Sequence, residues 1–546
     1  MPSLLTGLTS RMSRRLAIVL GLAGALLVAG CGGGGGGGSS SGASGSVTTG
    51  SLTLRLIGGG SADYAHAYVT LNAVAFHTSA DQAWSSADTS WQVVTFSSPV
   101  QVDLANLANG NYAALLTQRA LPTGTYRQMR LFAASTGAQA VDAGGAITPI
   151  EWPDTLLGLR VPVNFTVAQN VLTQIYLQWD LGHSLVPMLV NGGAARALSL
   201  RPNLATVDLA SSSGAIVGKL DTSHFCSGAS RAGCISNVVA TAQVLSADAS
   251  RHVVVLSTQV DASSGLFRLF PLPSGGTFDV VFHGRNMRPV VVTSVTAAAI
   301  DLFTNGTHIN PDTGSTTDAV IPVTLITPDS SAATLSVAPS KLADASVWIG
   351  QSIGGSAPYE WSAASADPLT GLFVASTFLP SGAAIDVAPY TGNTLAFTTV
   401  AASEGAGTYR VKAYGTSYDL ANGLQTVTPP AAVAGATADG GLQSGSITVS
   451  FSATTPANYD HAQVVVSDVN GVVLSQDVSA GIASPTVAML TVPRGTAAAS
   501  LGGTAVYSVS VRGWTAASPQ AATWARSSAV VDLRSSANGA ITLALP

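Results

Sequence analysis

Ser51-Leu-Thr-Leu-Arg-Leu-Ile57 alternates apolar and polar side chains at a period of two, the pattern of a strand with one buried face and one wet face. Further short stretches read as strands at residues 67–75, 91–96, 100–104, 126–132 and 161–167. In residues 173–179, Ile175, Leu177 and Trp179 fall on one face and are predicted to point inward. Asn109-Gly110, Pro122-Thr-Gly124 and Asn191-Gly192 supply turn residues between the runs. Short strands punctuated by turns imply a sandwich or barrel rather than βαβ units.

Composition points the same way. The chain has 546 residues, 47% of them hydrophobic, enough for the cores of three to five ordinary domains. Only 9% are charged, and glutamate (Glu151, Glu360, Glu404) and lysine (Lys219, Lys341, Lys412) occur three times each. Soluble helices draw on those residues for their wet faces, so this palette favours strands. The expected fold class is all-β, a tandem of β-sandwich domains of immunoglobulin-like or transthyretin-like type. The net charge of −5 offers nothing to follow a phosphate backbone, which excludes nucleic acid as the expected partner.

Before the first strand, Arg11, Arg14 and Arg15 precede an uncharged apolar run that ends in Leu27-Val28-Ala29-Gly30-Cys31. A basic flank, a short apolar core and small residues at a cut site make a secretory signal, with Met12 as an alternative start. The ending resembles the lipobox of bacterial lipoproteins. That resemblance implies cleavage before Cys31, acylation of its sulfur and amino terminus, and a palmitate-type membrane anchor that needs more than one chain to hold. A plain signal peptide with an incidental cysteine is the other reading. Gly32, where inner-membrane lipoproteins carry aspartate, resembles the sorting signal for the outer membrane. Removal of residues 1–30 takes away three arginines and moves the formal charge from −5 to −8. Residues 31–47 are almost wholly glycine and serine and read as a flexible tether of roughly 20 Å mean reach.

With Cys31 assigned to lipid, Cys226 and Cys234 remain. In an exported chain an even remainder reads as a disulfide closing a short loop; free thiols, or a metal shared with His224, are the other readings.

Resemblances divide the rest. Tyr64-Ala-His-Ala-Tyr-Val-Thr-Leu71, Trp91, Val102-Asp-Leu104, Leu121-Pro-Thr-Gly-Thr-Tyr-Arg-Gln-Met-Arg-Leu131 and Leu200-Arg-Pro202 resemble a domain of unknown function common in proteobacterial lipoproteins, over residues 48–210. Gly214-Ala-Ile-Val-Gly218, Ala240-Thr-Ala-Gln-Val-Leu245, Ser264-Gly-Leu-Phe-Arg-Leu269 and Leu272-Pro-Ser-Gly-Gly-Thr-Phe-Asp-Val-Val-Phe282 resemble the carboxypeptidase-regulatory, transthyretin-like modules, over residues 211–327. Phe278, Val280 and Phe282 there share a face. Thr370-Gly-Leu-Phe-Val374 and Leu379-Pro-Ser-Gly382 repeat two of those blocks, which suggests a second related sandwich over residues 328–440. Gly445-Ser-Ile-Thr-Val449 and Tyr459-Asp-His-Ala-Gln-Val464 match Gly50-Ser-Leu-Thr-Leu54 and Tyr64-Ala-His-Ala-Tyr-Val69 at one offset (445 − 50 = 459 − 64 = 395). Residues 441–546 therefore read as a sandwich that begins like the first, with a hairpin turn at Asp468-Val-Asn-Gly471.

No zinc-protease helix, Walker loop or dinucleotide fingerprint is present, and no cofactor is implied. Asp180, His183 and Ser184 invite a triad reading, but neighbouring side chains diverge in extended chain, so strand-end polar residues are expected. His66 and His461 recur at matching places and read as strand-start residues. Asn305, Asn310, Asp312 and Asp318 form an oxygen-rich loop without the spacing of a calcium loop. The three glutamates fall in different segments, which speaks against a glycosidase pair. Trp348, Tyr359 and Trp361 lie close together in sequence and form a candidate ligand-stacking platform. The expected function is that of a non-enzymatic, lipid-anchored outer-membrane protein for binding, adhesion or scaffolding, with a glycan, cell wall or envelope protein as partner. A hydrolase or accessory subunit of an export system, with a site assembled between domains, and a purely structural spacer are the alternatives.

Overall fold

In the computed structural model the chain is all-β, with two short 3-10 turns and no α-helix among the described residues. The structure describes residues 48–544 except for short internal stretches, the longest being 310–319, 338–345, 453–460, 479–486, 497–504 and 515–524. Cys31 with its signal run and tether, the oxygen-rich loop at Asn305, Asn310, Asp312 and Asp318, and Tyr459 lie outside the described residues.

One pattern of strand pairing recurs four times. In the first module Thr49–Gly58 pairs antiparallel with Ala113–Pro122 and parallel with Leu172–Asp180. The facing sheet sets Gln92–Asp103, Tyr64–His77, Gly124–Ala133 and Leu159–Val167 side by side in that order, all antiparallel. In the second module Gly214–Lys219 pairs antiparallel with Leu266–Leu272 and parallel with Thr307–His308. Its facing sheet runs His252–Gln259, Ser236–Leu245, Thr277–Arg285, Val290–Thr296. The third repeats this with Thr334–Val337 between Leu372–Val374 and Ala431–Val433, and with Tyr359–Ser365, Ser346–Gln351, Tyr409–Tyr414 and Gln425–Val427 opposite. The fourth has Leu442–Ser452 between Val487–Thr496 and Asn538–Ala544, and Gly471–Val478, His461–Asp468, Val506–Trp514 and Ala525–Asp532 opposite. The first and fourth also begin their parallel ladders at corresponding residues. Ser51 opens the parallel ladder against Leu172, and Ser446, at the same offset of 395 (446 − 51), opens it against Asn538.

The alternation in the sequence explains each core. Leu52, Leu54 and Leu56 are buried with Ile175, Leu177 and Trp179 in the first core, while Phe278, Val280 and Phe282 are buried in the second. Cys226 and Cys234 form a disulfide in the second module.

Two features depart from a string of separate sandwiches. The hairpin Ala384–Pro389 and Thr398–Ala401 adds itself, in parallel, to Val290–Thr296, so a six-stranded sheet runs across the expected boundary at 327/328. Leu379-Pro-Ser-Gly382, which copies Leu272-Pro-Ser-Gly275, therefore leads into the neighbouring module's sheet and not its own. The reverse face of Thr277–Arg285 is also covered. Val281 and Val291 pack in one core with Val347, Ile349, Tyr359 and Trp361 of the third module.

Candidate functional site

Trp348, Tyr359 and Trp361 correct the expectation of a stacking platform. They are only 2%, 5% and 3% exposed. On Tyr359–Ser365, Tyr359 and Trp361 face the shared core, whereas Glu360 faces the other way, beside Trp348. The three rings thus lie on two faces of one sheet. Each polar edge is also taken: the Tyr359 hydroxyl donates to Asp279 (2.9 Å) and its ring stacks on His252 at 4.1 Å. Trp361 Nε1 donates to Gln351 Oε1 (3.1 Å) and Trp348 Nε1 to Glu360 Oε2 (2.9 Å).

That last contact leads to a place where, among the described residues, titratable groups from three modules meet. Leu172–Asp180 ends in a 3-10 turn, Leu181–His183, which folds His183 back so that Nδ1 meets Asp180 Oδ2. The turn is what extended-chain reasoning missed. His183 Nε2 meets Glu360 Oε1 at 2.6 Å, and Glu360 Oε2 also accepts from the Val254 N–H at 3.2 Å. Gln243, from the second module, bonds the Glu360 backbone at both ends, Nε2 to the carbonyl and Oε1 to the N–H, each 2.9 Å. Gly60 N donates to Ser257 Oγ (3.2 Å), and Ser257 Oγ reaches Asp180 Oδ1 at 3.4 Å. Ser184 does not complete a triad, because its hydroxyl donates to the Asp180 carbonyl.

The electrostatics follow from this geometry. Burial alone would lower the pKa of His183, but the Asp180 and Glu360 carboxylates outweigh it and hold the imidazole well above its ordinary value. His283, across the same cavity, is pushed down to about 4 by burial and by His183. One imidazole is therefore cationic and its neighbour neutral at pH 7. The cavity between them, lined by Asp63, Thr241, Ser257 and Ser362 among others, holds about 50 Å³, room for a few waters and not for a substrate. Both ring nitrogens of His183 are bonded to carboxylates, so it has no lone pair with which to take a proton from a nucleophile. The arrangement ties residues of three modules together.

Glu404 is bonded by the Ser352 N–H at 2.8 Å, apart from this cluster. His66 stacks on Tyr68 and bonds Asp103 through Nδ1 at 2.7 Å. Among the described residues no group of three or more His, Cys, Asp or Glu side chains is placed to hold a metal ion.

Residues 49–202 match the family described as Domain of unknown function (DUF4382). The match covers the first module and agrees with the resemblance seen there in the sequence. Among curated proteins none matches the chain. Two solved structures are similar over much of the chain. The Bacillus anthracis TIE protein has 9% identity and a TM-score of 0.12, covering 90% of this chain and 73% of its own. A streptococcal ancillary pilin has 10% identity and a TM-score of 0.13, covering 61% of this chain and 99% of its own. At those scores neither likeness carries an argument about fold or function.

Proposed function

We propose that this chain is a non-enzymatic, lipid-anchored scaffold of the bacterial outer envelope, built of four transthyretin-like modules. The observation that carries the reading is the use made of Asp180, His183 and Glu360. The charged groups that converge between modules satisfy one another, and the space beside them is too small for a substrate. The fourfold recurrence of one strand between an antiparallel and a parallel neighbour supports the transthyretin-like reading. The anchor rests on Leu27-Val28-Ala29-Gly30-Cys31 and the glycine tract behind it. Two or more acyl chains on one residue hold a protein at a membrane.

Fractionation of cells expressing the wild-type chain and Cys31→Ser tests the anchor. The wild type is expected in the outer-membrane fraction and labelled by radioactive palmitate, and Cys31→Ser in the soluble fraction without label. Label or membrane retention in Cys31→Ser would remove the anchor from the proposal. Measurable turnover of an envelope substrate that Glu360→Gln abolishes would replace scaffold with enzyme.

A further inference from the structure

We propose that the pole of the first module where the chain joins Cys31 seats Val171 and Leu172 in the headgroup layer of an anionic lipid surface. The proposal rests on the acyl anchor above and adds to it a contact made by the folded protein itself.

Three segments tied by hydrogen bonds build the pole. Thr48 is the first described residue; its carbonyl accepts from the Thr123 N–H (2.9 Å), and the two hydroxyls meet at 2.8 Å. The Thr49 carbonyl accepts from the Asn170 N–H (3.3 Å) and the Val171 carbonyl from the Ser51 N–H (3.0 Å). Between them residues 168–171 make a turn, closed by the Val171 N–H on the Ala168 carbonyl (3.2 Å), with Asn170 in the left-handed region at φ 56°. Gly50 lets this turn approach, since a Cβ there would stand 2.1 Å from the Ala168 carbonyl oxygen. The turn is thus held against the strand on which the chain enters.

Val171 and Leu172 are 51% and 43% exposed. Aliphatic residues exposed singly are ordinary on a protein surface. These two are consecutive, and residues 48–49, 122–124 and 168–172 around them carry no charge. An uncharged tip with adjacent exposed aliphatics is what shallow insertion into a headgroup layer requires.

The charges behind the tip name the occupant. Arg119 and Arg127 are exposed, and neither has an ion pair among the described residues. They lie on the two strands that meet at this pole, each three residues from its end (122 − 119 = 127 − 124 = 3), so about 10 Å behind the tip. Loop 79–90, which carries Asp88, folds back along the sheet: Arg160 donates to the Ala80 carbonyl at 2.6 Å, and Trp84 rests on Phe132. An apolar protein surface would leave both arginines unmet, whereas lipid phosphates lie where the two guanidinium groups can reach them.

Chain connectivity brings this pole to lipid. Residues 31–47 join Cys31 to Thr48, and a chain of glycine-serine composition averages roughly 20 Å end to end. The other end of Thr49–Gly58 is about 30 Å away and leads to the second module, where the Gly60 N–H meets Ser257. Anchoring through Cys31 therefore keeps lipid near the tip at high effective concentration, so two aliphatic side chains suffice.

The test places an indole at the tip by Leu172→Trp and, as a control, on the second module by Leu266→Trp, a position 53% exposed. Each full chain is extracted in detergent, reconstituted on vesicles of equal parts phosphatidylethanolamine and phosphatidylglycerol with brominated acyl chains, and floated. Fluorescence is read as the excess over the parent chain. The Leu172→Trp indole is expected to be quenched and the Leu266→Trp indole not. Val171→Asp, or Arg119→Gln with Arg127→Gln, should each lower the ratio of quenched to unquenched tip indole by about tenfold. These positions are exposed, so melting temperatures should stay at the parent value. A chain that floats with its tip unquenched overturns this contact and leaves the anchor standing; a chain that does not float overturns both. Equal quenching at both indoles, or quenching that neither set of changes weakens, also overturns it, as would an unquenched tip in a cross-linked dimer, which would assign the pole to a second copy.

Discussion

Glu360 Oε1 lies 2.6 Å from Nε2 of His183, a residue 177 positions earlier in the chain and in a different sandwich. With Asp180 on the other ring nitrogen, His183 is a cation clamped between two carboxylates, and the second module supplies Val254 and Gln243 to hold one of them. Three modules are tied at one point.

Glu360→Gln breaks this tie while keeping the size of the side chain. Removing one member of a buried ion pair typically costs about 3–5 kcal/mol; His183 keeps Asp180, so a loss of about 2–4 kcal/mol is expected in urea unfolding. A double-mutant cycle with His183→Gln should give a coupling above about 1 kcal/mol. A coupling near zero would show that the pair does not join the modules.

Stability should fall on both sides of neutrality, for two separate reasons. His183 has a folded pKa above its unfolded value, so its contribution is full below the unfolded value near 6.5 and is lost as pH rises through the higher folded value. His283 has a folded pKa of about 4 against 6.5 unfolded, so its effect is absent above 6.5 and destabilises progressively as pH falls from 6.5 toward 4. That drop is worth up to about 3 kcal/mol. Melting curves of His283→Gln should be flatter across pH 4–6.5 than those of the wild type, with the alkaline limb unchanged; an acid limb identical to the wild type would place the loss elsewhere.

Gly60 fits against the second module because it has no side chain. A Cβ there would stand 2.7 Å from the Thr258 carbonyl oxygen and 2.9 Å from Val239 Cγ1. The obstruction is partly backbone and cannot swing aside. Gly60→Ala is expected to cost about 1–3 kcal/mol and to open the junction to limited proteolysis between the first two modules. A variant as resistant as the wild type would show that the junction yields.

The Cys226–Cys234 bond closes a loop with a sequence separation of 8, for which chain entropy gives roughly 2–3 kcal/mol. Phe225 and Cys226 also line a cleft that residues of the first module share. Reduction should lower the free energy of unfolding of the second module by about that amount in urea titrations. A transition unmoved by reductant would assign the bond no part in stability.

Much of the local structure was legible because it depends on near neighbours. Leu52, Leu54 and Leu56, and Ile175, Leu177 and Trp179, take the faces that a period of two assigns them. The constant offset of 395 between the first and last modules survives in where the parallel ladder opens, at Ser51 and at Ser446. Nearness in sequence does not say which side of a sheet Trp348, Tyr359 and Trp361 take, nor that neighbouring modules cover both sides. Asp180 and His183 meet through a 3-10 turn, which extended-chain geometry does not anticipate. Glu360, Gln243, Ser257 and Gly60 carry no local signal of their part in the junction.

The sequence by itself determined an all-β chain, the inward faces of its strands and the kinship of its modules, because alternation and turn chemistry act over a few residues. Tertiary structure alone decided that a hairpin from the third module would complete the second module's sheet, and that His183 would find Glu360. Those choices are made by surfaces that exist only after each sandwich has closed, when a residue 177 positions away can be as near as a neighbour.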